Sequence, residues 1–145
     1  MPLFLFADME KTMAHNLTTH PIHLGLGATA SAQPEFTGMD WYGPYMARHA
    51  GDGLEGRLVT MYSFTQEWTS WEMHPEGEEV VVCLDGEMTL IQEDPQGLRQ
   101  EVMLRAGDYA INPRGVWHTA NVAVSARALF ITAGWGTQIR ERSAE

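Results

Sequence analysis

The stretch WEMHPEGEEVVVCLDG, residues 71–86, sets Glu72, His74 and the pair Glu78-Glu79 against the apolar run Val80-Val81-Val82. An ionised group beside hydrocarbon is costly to bury unless a partner compensates it. Three arrangements would hold these groups: a metal ion, a hydrogen-bonded polar core, or exposure at a strand end. Deciding between them requires the elements that position the side chains.

From residue 57 onward, turn chemistry recurs every eight to eleven residues. Asp85-Gly86 between apolar runs is the strongest short hairpin signal, with glycine supplying positive φ. Asp94-Pro95-Gln96-Gly97 reads as a type I turn, and Ala106-Gly107-Asp108 and Asn112-Pro113-Arg114-Gly115 are further breaks. This rhythm predicts an all-β sandwich or barrel, with strands over 57–66, 68–74, 79–84, 87–93, 98–104, 108–112, 116–122 and 127–133. A two-residue hairpin at Asp85-Gly86 would pair Leu84 with Glu87, Cys83 with Met88, Val81 with Leu90 and Glu79 with Gln92. Strand alternation then puts Glu79, Val81, Cys83, Met88, Leu90 and Gln92 on one face. The same alternation aligns Trp68, Ser70, Glu72 and His74 on the preceding strand, and His118, Ala120 and Val122 on a later one. Trp71 and Trp117 fall on the outward side, where a second sheet or a partner chain would cover them.

The first 55 residues read differently. Helices are expected over 3–14 and near 40–49, the second closed by Gly51, with an irregular Gly/Ala/Pro-rich stretch over 21–38. The division that follows is an N-terminal extension at 1–55, packed on the barrel or on a partner, a barrel at 56–135, and a polar tail at 136–145.

A chain of 145 residues fits one core, and 44% apolar content with five tryptophans excludes wholesale disorder. A formal charge of −10 argues against nucleic acid and anionic membrane surfaces as partners. Cys83 is the one cysteine, so no internal disulfide forms. No apolar run approaches the roughly 18 residues of a spanning helix, and the opening MPLFLFADMEK lacks a basic leader. The expectation is a soluble cytoplasmic protein.

Two motifs resemble those of the cupin superfamily. The first cupin motif, G-x5-H-x-H-x3,4-E-x6-G, is similar to Glu72-Met73-His74, four intervening residues, Glu79, six more and Gly86. The second, G-x5-P-x-G-x2-H-x3-N, is similar to Gly107, five residues, Pro113-Arg114-Gly115, two residues and His118, its closing Asn displaced to Asn121. The resemblance covers roughly residues 57–133. It implies a cupin double-stranded β-helix, a small jelly-roll barrel, here with an N-terminal extension containing short helices. It also implies a divalent metal on His74, Glu79 and His118; the gap to Gly86 and strand parity select Glu79 over Glu78. Two imidazoles and a carboxylate suit Fe, Mn, Zn or Ni, whereas a cysteine-rich zinc site is excluded.

Where the family has its first histidine, this chain has Glu72. That residue can be read as a fourth ligand that neutralises the ion, as a catalytic acid/base beside a three-ligand metal, or as a hydrogen-bonding group at a decayed site. Trp68, Cys83, Met88, Gln92 and Tyr109 are candidate lining residues of a substrate pocket. A nucleophilic role for Cys83 is disfavoured, because a buried free cysteine behaves as a small hydrophobe. Gly25-Leu26-Gly27-Ala28-Thr29-Ala30 fits a dinucleotide fingerprint in letters but lacks the βαβ context. His15, His20 and His23 are expected on the surface. The functional expectation is a metal-dependent cupin that binds a small organic molecule and acts as an oxygenase or isomerase; the alternative is a non-catalytic ligand-binding or sensor cupin. The apolar outer face, together with the habit of small cupins, predicts a homodimer.

Overall fold

The computed structural model describes residues 13–143. The helix expected over 3–14 falls almost wholly outside them. Ten strands follow in chain order: β1 (Ile22–Gly25), β2 (Thr29–Ala32), β3 (Arg57–Phe64), β4 (Ser70–Met73), β5 (Glu79–Glu93), β6 (Arg99–Arg105), β7 (Tyr109–Asn112), β8 (Trp117–Asn121), β9 (Ala126–Thr132) and β10 (Gln138–Glu141). One α-helix, α1 (Tyr42–Arg48), lies between two 3-10 turns, Met39–Trp41 and Ala50–Glu55. All strand pairs are antiparallel, in the order β10-β4-β8-β5-β9-β3-β1-β2, with β6 and β7 also on β5.

The expected hairpin at Asp85-Gly86 does not form. Residues 79–93 run as one strand that bends rather than reverses. Its first half pairs with β7 and β9, its second with β6 and β8, and a register irregularity lies between Cys83 and Asp85. Gly86 takes φ +71° here, and a Cβ at that position would meet the carbonyl oxygen of Ser125 at 2.1 Å. The glycine therefore serves a tight strand crossing of the kind that bulges make, not a turn. Val81 pairs with Phe130 and Ala110, Glu79 with Asn112, and Leu90 with Ala120 and Val102. The inward set survives this correction, because the bend and the hairpin both keep Glu79, Val81, Cys83, Met88 and Leu90 buried.

Passing through both sheets, β5 closes a jelly-roll barrel. Its apolar core holds Val81, Cys83, Met88, Leu104, Ala120, Val122, Ala126, Ala128 and Phe130. The other turns form as read: Asp94 Oδ1 accepts from the backbone N–H of Gln96 and Leu98, and Asp108 Oδ2 accepts from that of Arg105.

Two stretches without regular local patterning are ordered by pairing. Residues 22–32, expected to be irregular, form the β1–β2 hairpin because β1 adds to the edge of β3 (Ile22 opposite Val59). The tail, expected to be solvated, supplies β10, which pairs with β4. Arg140 from β10 lies over the rings of Trp71 and Trp117, at 5.1 and 4.5 Å, and Arg99 lies 5.0 Å over Trp71. Cation–π cover from this chain's own arginines, tied to Glu93, thus answers the question of what shields the outward tryptophans. The extension packs α1 and its flanks on the barrel through Trp41, Tyr45 and Leu58, with Phe36, Tyr42 and Met46 around them.

Candidate metal centre and cavity

Three ladder rungs assemble a polar cluster at one end of the barrel. Glu72 on β4 faces His118 on β8, Gln92 on β5 faces the same His118, and Glu79 faces Asn112 on β7. His74 follows β4 and joins them. His74, Glu79, Asn112 and His118 are all buried, whereas Glu78 is exposed.

Hydrogen positions follow from the partners. The Thr137 hydroxyl donates to the carbonyl of Gly134, so its oxygen accepts from His74 Nδ1–H at 2.9 Å. His118 Nδ1 faces the carbonyl of Val116 at 3.4 Å and must donate to it. Each ring therefore carries its hydrogen on Nδ1 and presents a lone pair at Nε2. Those two Nε2 atoms are buried without a hydrogen-bond partner. They stand 3.1 Å (His74) and 3.2 Å (His118) from the two oxygens of Glu79, off the line of an N–H···O bond, and Glu72 Oε2 is 3.9 Å from His118 Nε2. Lone pairs opposed to carboxylate oxygens in a buried site repel unless a cation lies among them. Ligand atoms of Glu72, His74 and His118 all fall within 4.8 Å of one another. The donor set fits a small divalent ion.

Glu79 is held as a carboxylate. Burial opposes ionisation, but positive charge at the neighbouring imidazoles outweighs it and keeps the Glu79 pKa well below the usual range: where no metal ion is bound, a proton on Nε2 of His118 or His74 is the cation that relieves the opposed lone pairs. Asn112 Nδ2 donates to one oxygen at 2.9 Å and the Thr132 hydroxyl to the other at 2.6 Å. Glu72 moves the opposite way: burial, then the charge of Glu79, push its carboxyl up, with the two histidines only partly offsetting them. Burial alone would lower His74, and the carboxylates of Glu79 and Glu72 reverse that.

Above the cluster opens a cavity of about 760 Å³. Glu72, His74 and Glu79 are at its floor, and Tyr62, Phe64, Trp68 and Phe130 line it. Of the expected lining residues, Trp68 is the one in place. Cys83 and Met88 are within the hydrocarbon core, at 0% and 1% exposure. They point inward but lie at the far end of the barrel from Glu79. Tyr109 is 67% exposed, since alternation from inward Asn112 turns Tyr109 outward. Gln92 does not reach the cavity; its amide donates to the Asn112 side-chain oxygen at 2.8 Å and to the Ile111 carbonyl. Asn112, Thr132 and Thr137 were not singled out from the sequence. Asn112, one residue before the Pro113-Arg114-Gly115 turn of the second motif, was the one with a signal.

His23 also departs from expectation. It is buried, with Nε2 2.6 Å from Asp52 Oδ2 and Nδ1 2.6 Å from the Tyr45 hydroxyl. It stacks on His49 at 3.7 Å, with the rings 17° apart. His23, His49 and Asp52 cluster like ligands, yet both His23 nitrogens are engaged and parallel rings cannot aim lone pairs at one ion. The cluster ties β1, α1 and the second 3-10 turn together.

The family model for the cupin domain matches residues 65–133. Those residues are a cupin domain. Among solved structures, the chain is similar to an oxalate oxidase in complex with the substrate analogue glycolate, with a TM-score of 0.53 at 19% identity over 66% of this chain and 51% of that one. It is also similar to a cupin-2 domain protein from Shewanella frigidimarina, with a TM-score of 0.45 at 21% identity over 52% and 69% of the two chains. NMB1881 from Neisseria meningitidis gives 0.45 at 18% identity over 53% and 74%. At 19% identity, the likeness to the oxalate oxidase is one of fold. No curated protein matches the chain. Among the described residues, no helix is long and apolar enough to cross a membrane.

Proposed function

We propose that this cupin holds a divalent transition-metal ion on His74, Glu79, His118 and Glu72 and converts a small organic molecule in the cavity above it. The observation that carries this reading is the pair of buried, partnerless imidazole nitrogens opposed to carboxylate oxygens at 3.1–3.2 Å. A bound ion would supply Lewis-acid polarisation or oxygen activation, the chemistry of an isomerase or an oxygenase. The chain's own groups divide the remaining work. Glu79, fixed by Asn112 and Thr132, stays ionised. Glu72, at the longest approach and facing the cavity, is the carboxylate able to take up and return a proton from a bound molecule.

Metal analysis of protein purified without chelator or nickel resin tests the reading, with about one equivalent expected. His118→Ala, folded by circular dichroism, is expected to lose the ion; full occupancy at unchanged affinity would overturn the assignment. Glu72→Gln is expected to weaken binding less, and unchanged affinity would remove Glu72 from the ligand set. We further place the protein as a soluble, cytoplasmic homodimer, the dimer supported by exposed Leu84, Val102, Met103, Tyr109 and Ile111 along β5–β7; sedimentation as a monomer at micromolar concentration would overturn the dimer.

A further inference from the structure

Among the described residues, the cavity has negative groups at its floor and no positive side chain on its wall. Apart from tyrosines, its ionisable lining residues are Glu67, Glu72, Glu79 and His74, with neither lysine nor arginine among them. Two carboxylates balance a divalent ion, so the loaded site offers an anion no net attraction. An anionic ligand would leave water for a largely aromatic wall whose donors, the hydroxyls and the unpartnered Trp68 Nε1–H, are all neutral, with no cation among the described residues to offset the loss of hydration.

The wall does provide a neutral donor. The hydroxyls of Tyr42 and Tyr62 are 3.0 Å apart. One hydrogen serves the bond between them, the Thr60 hydroxyl donates to Tyr62, and the second phenol hydrogen remains for an acceptor. Burial holds both phenols above their ordinary pKa, and the Glu72 charge adds to this, so both keep their protons. Tyr42 comes from α1, and Phe36, Met39, Tyr45 and Met46 of the same extension also line the cavity. These five precede the stretch matched by the cupin model. The His23–Tyr45–Asp52 cluster pins their helix to β1. The extension is thus part of the binding site.

We infer that the cavity takes an uncharged, ring-sized organic molecule bearing an acceptor oxygen that the Tyr42–Tyr62 pair receives, and that it excludes small dicarboxylates and phosphate esters. The inference rests on the proposed reading for which end of the molecule reacts; the charge selection comes from the wall alone.

Calorimetric titration with an isosteric pair tests it: 2-acetonaphthone, an uncharged ketone, against 2-naphthoate, with oxalate as a small dianion. Both metal-loaded and metal-stripped full-length protein are used. The ketone is expected to bind roughly tenfold or more tighter than naphthoate in both forms. The double variant Y42F/Y62F keeps ring volume and is expected to lower ketone affinity about two- to tenfold without changing that of naphthoate. Binding of naphthoate or oxalate as tight as that of the ketone would overturn the inference, and so would failure of both naphthalenes to bind. Should the protein hold no metal while the stripped form still prefers the ketone, the metal reading falls and this one stands.

Discussion

The two ends of the barrel are built from the same strands and solve burial in different ways. β5 passes through both. At one end Cys83, Met88, Leu104, Ala120 and Ala128 are at most 1% exposed and pack together in an apolar cluster, the Cys83 thiol alone also reaching the carbonyls of Asp85 and Gly86. At the other, Glu79, His74, Asn112 and His118 are 5% exposed or less and are polar throughout. Filled volume is enough for the first end. The second requires a partner for each atom: the Glu79 oxygens have theirs in Asn112 and Thr132, while the facing imidazole nitrogens have none. Burial alone therefore does not mark a functional site. What marks it is burial with an unmet partner.

The contrast is broken most forcefully at the hydrocarbon end. Met88→Ala leaves a cavity among Leu104, Ala120 and Phe130 and is expected to cost about 2–5 kcal/mol of stability, read by urea denaturation, with metal content unchanged. Metal loss in that variant would mean that the two ends are not independent. At the polar end, Asn112→Ala is expected to act chiefly on the metal. It removes the amide that donates to Glu79, and a group supporting a ligand is worth about 10–100-fold in metal affinity. A competition titration against a chelating dye measures it, and an affinity unchanged within twofold would deny Asn112 that role.

Which parts of this were legible in the sequence follows from how far each property reaches along the chain. Alternation is local, so Glu72, His74, Glu79 and His118 could be assigned to inner faces, and all four meet. Depth along the barrel is not local. Cys83 shares the face of Glu79 but is four residues on, about 13 Å along the strand, which places it in hydrocarbon. Asp85-Gly86 has hairpin chemistry, yet the strand continues, because β9 and β8 offer each half a partner that no short window reveals. β1, β10 and the burial of His23 likewise depend on residues 20 or more positions away. Apart from the break at Asp85-Gly86 that does not form and β10, which was expected to be tail, the strand bounds from 57 onward needed no such knowledge and agree to within two residues.

The subtlest test concerns Gln92, whose amide donates to the Asn112 side-chain oxygen and to the Ile111 carbonyl, and never touches the carboxylate. Gln92→Leu keeps most of the volume and removes both donations. The cost in stability should be about 1 kcal/mol, the net worth of ordinary hydrogen bonds, well short of that for Met88→Ala. Asn112 would keep its amide on Glu79 but lose the contact that fixes which way the amide points, so metal affinity should fall a few-fold, less than in Asn112→Ala. Because Gln92 acts through Asn112, the two losses should not add: Gln92→Leu in an Asn112→Ala background should leave affinity where Asn112→Ala already put it. Additive losses would show that Gln92 supports the site by another route, most directly through His118, its neighbour across the β5–β8 ladder.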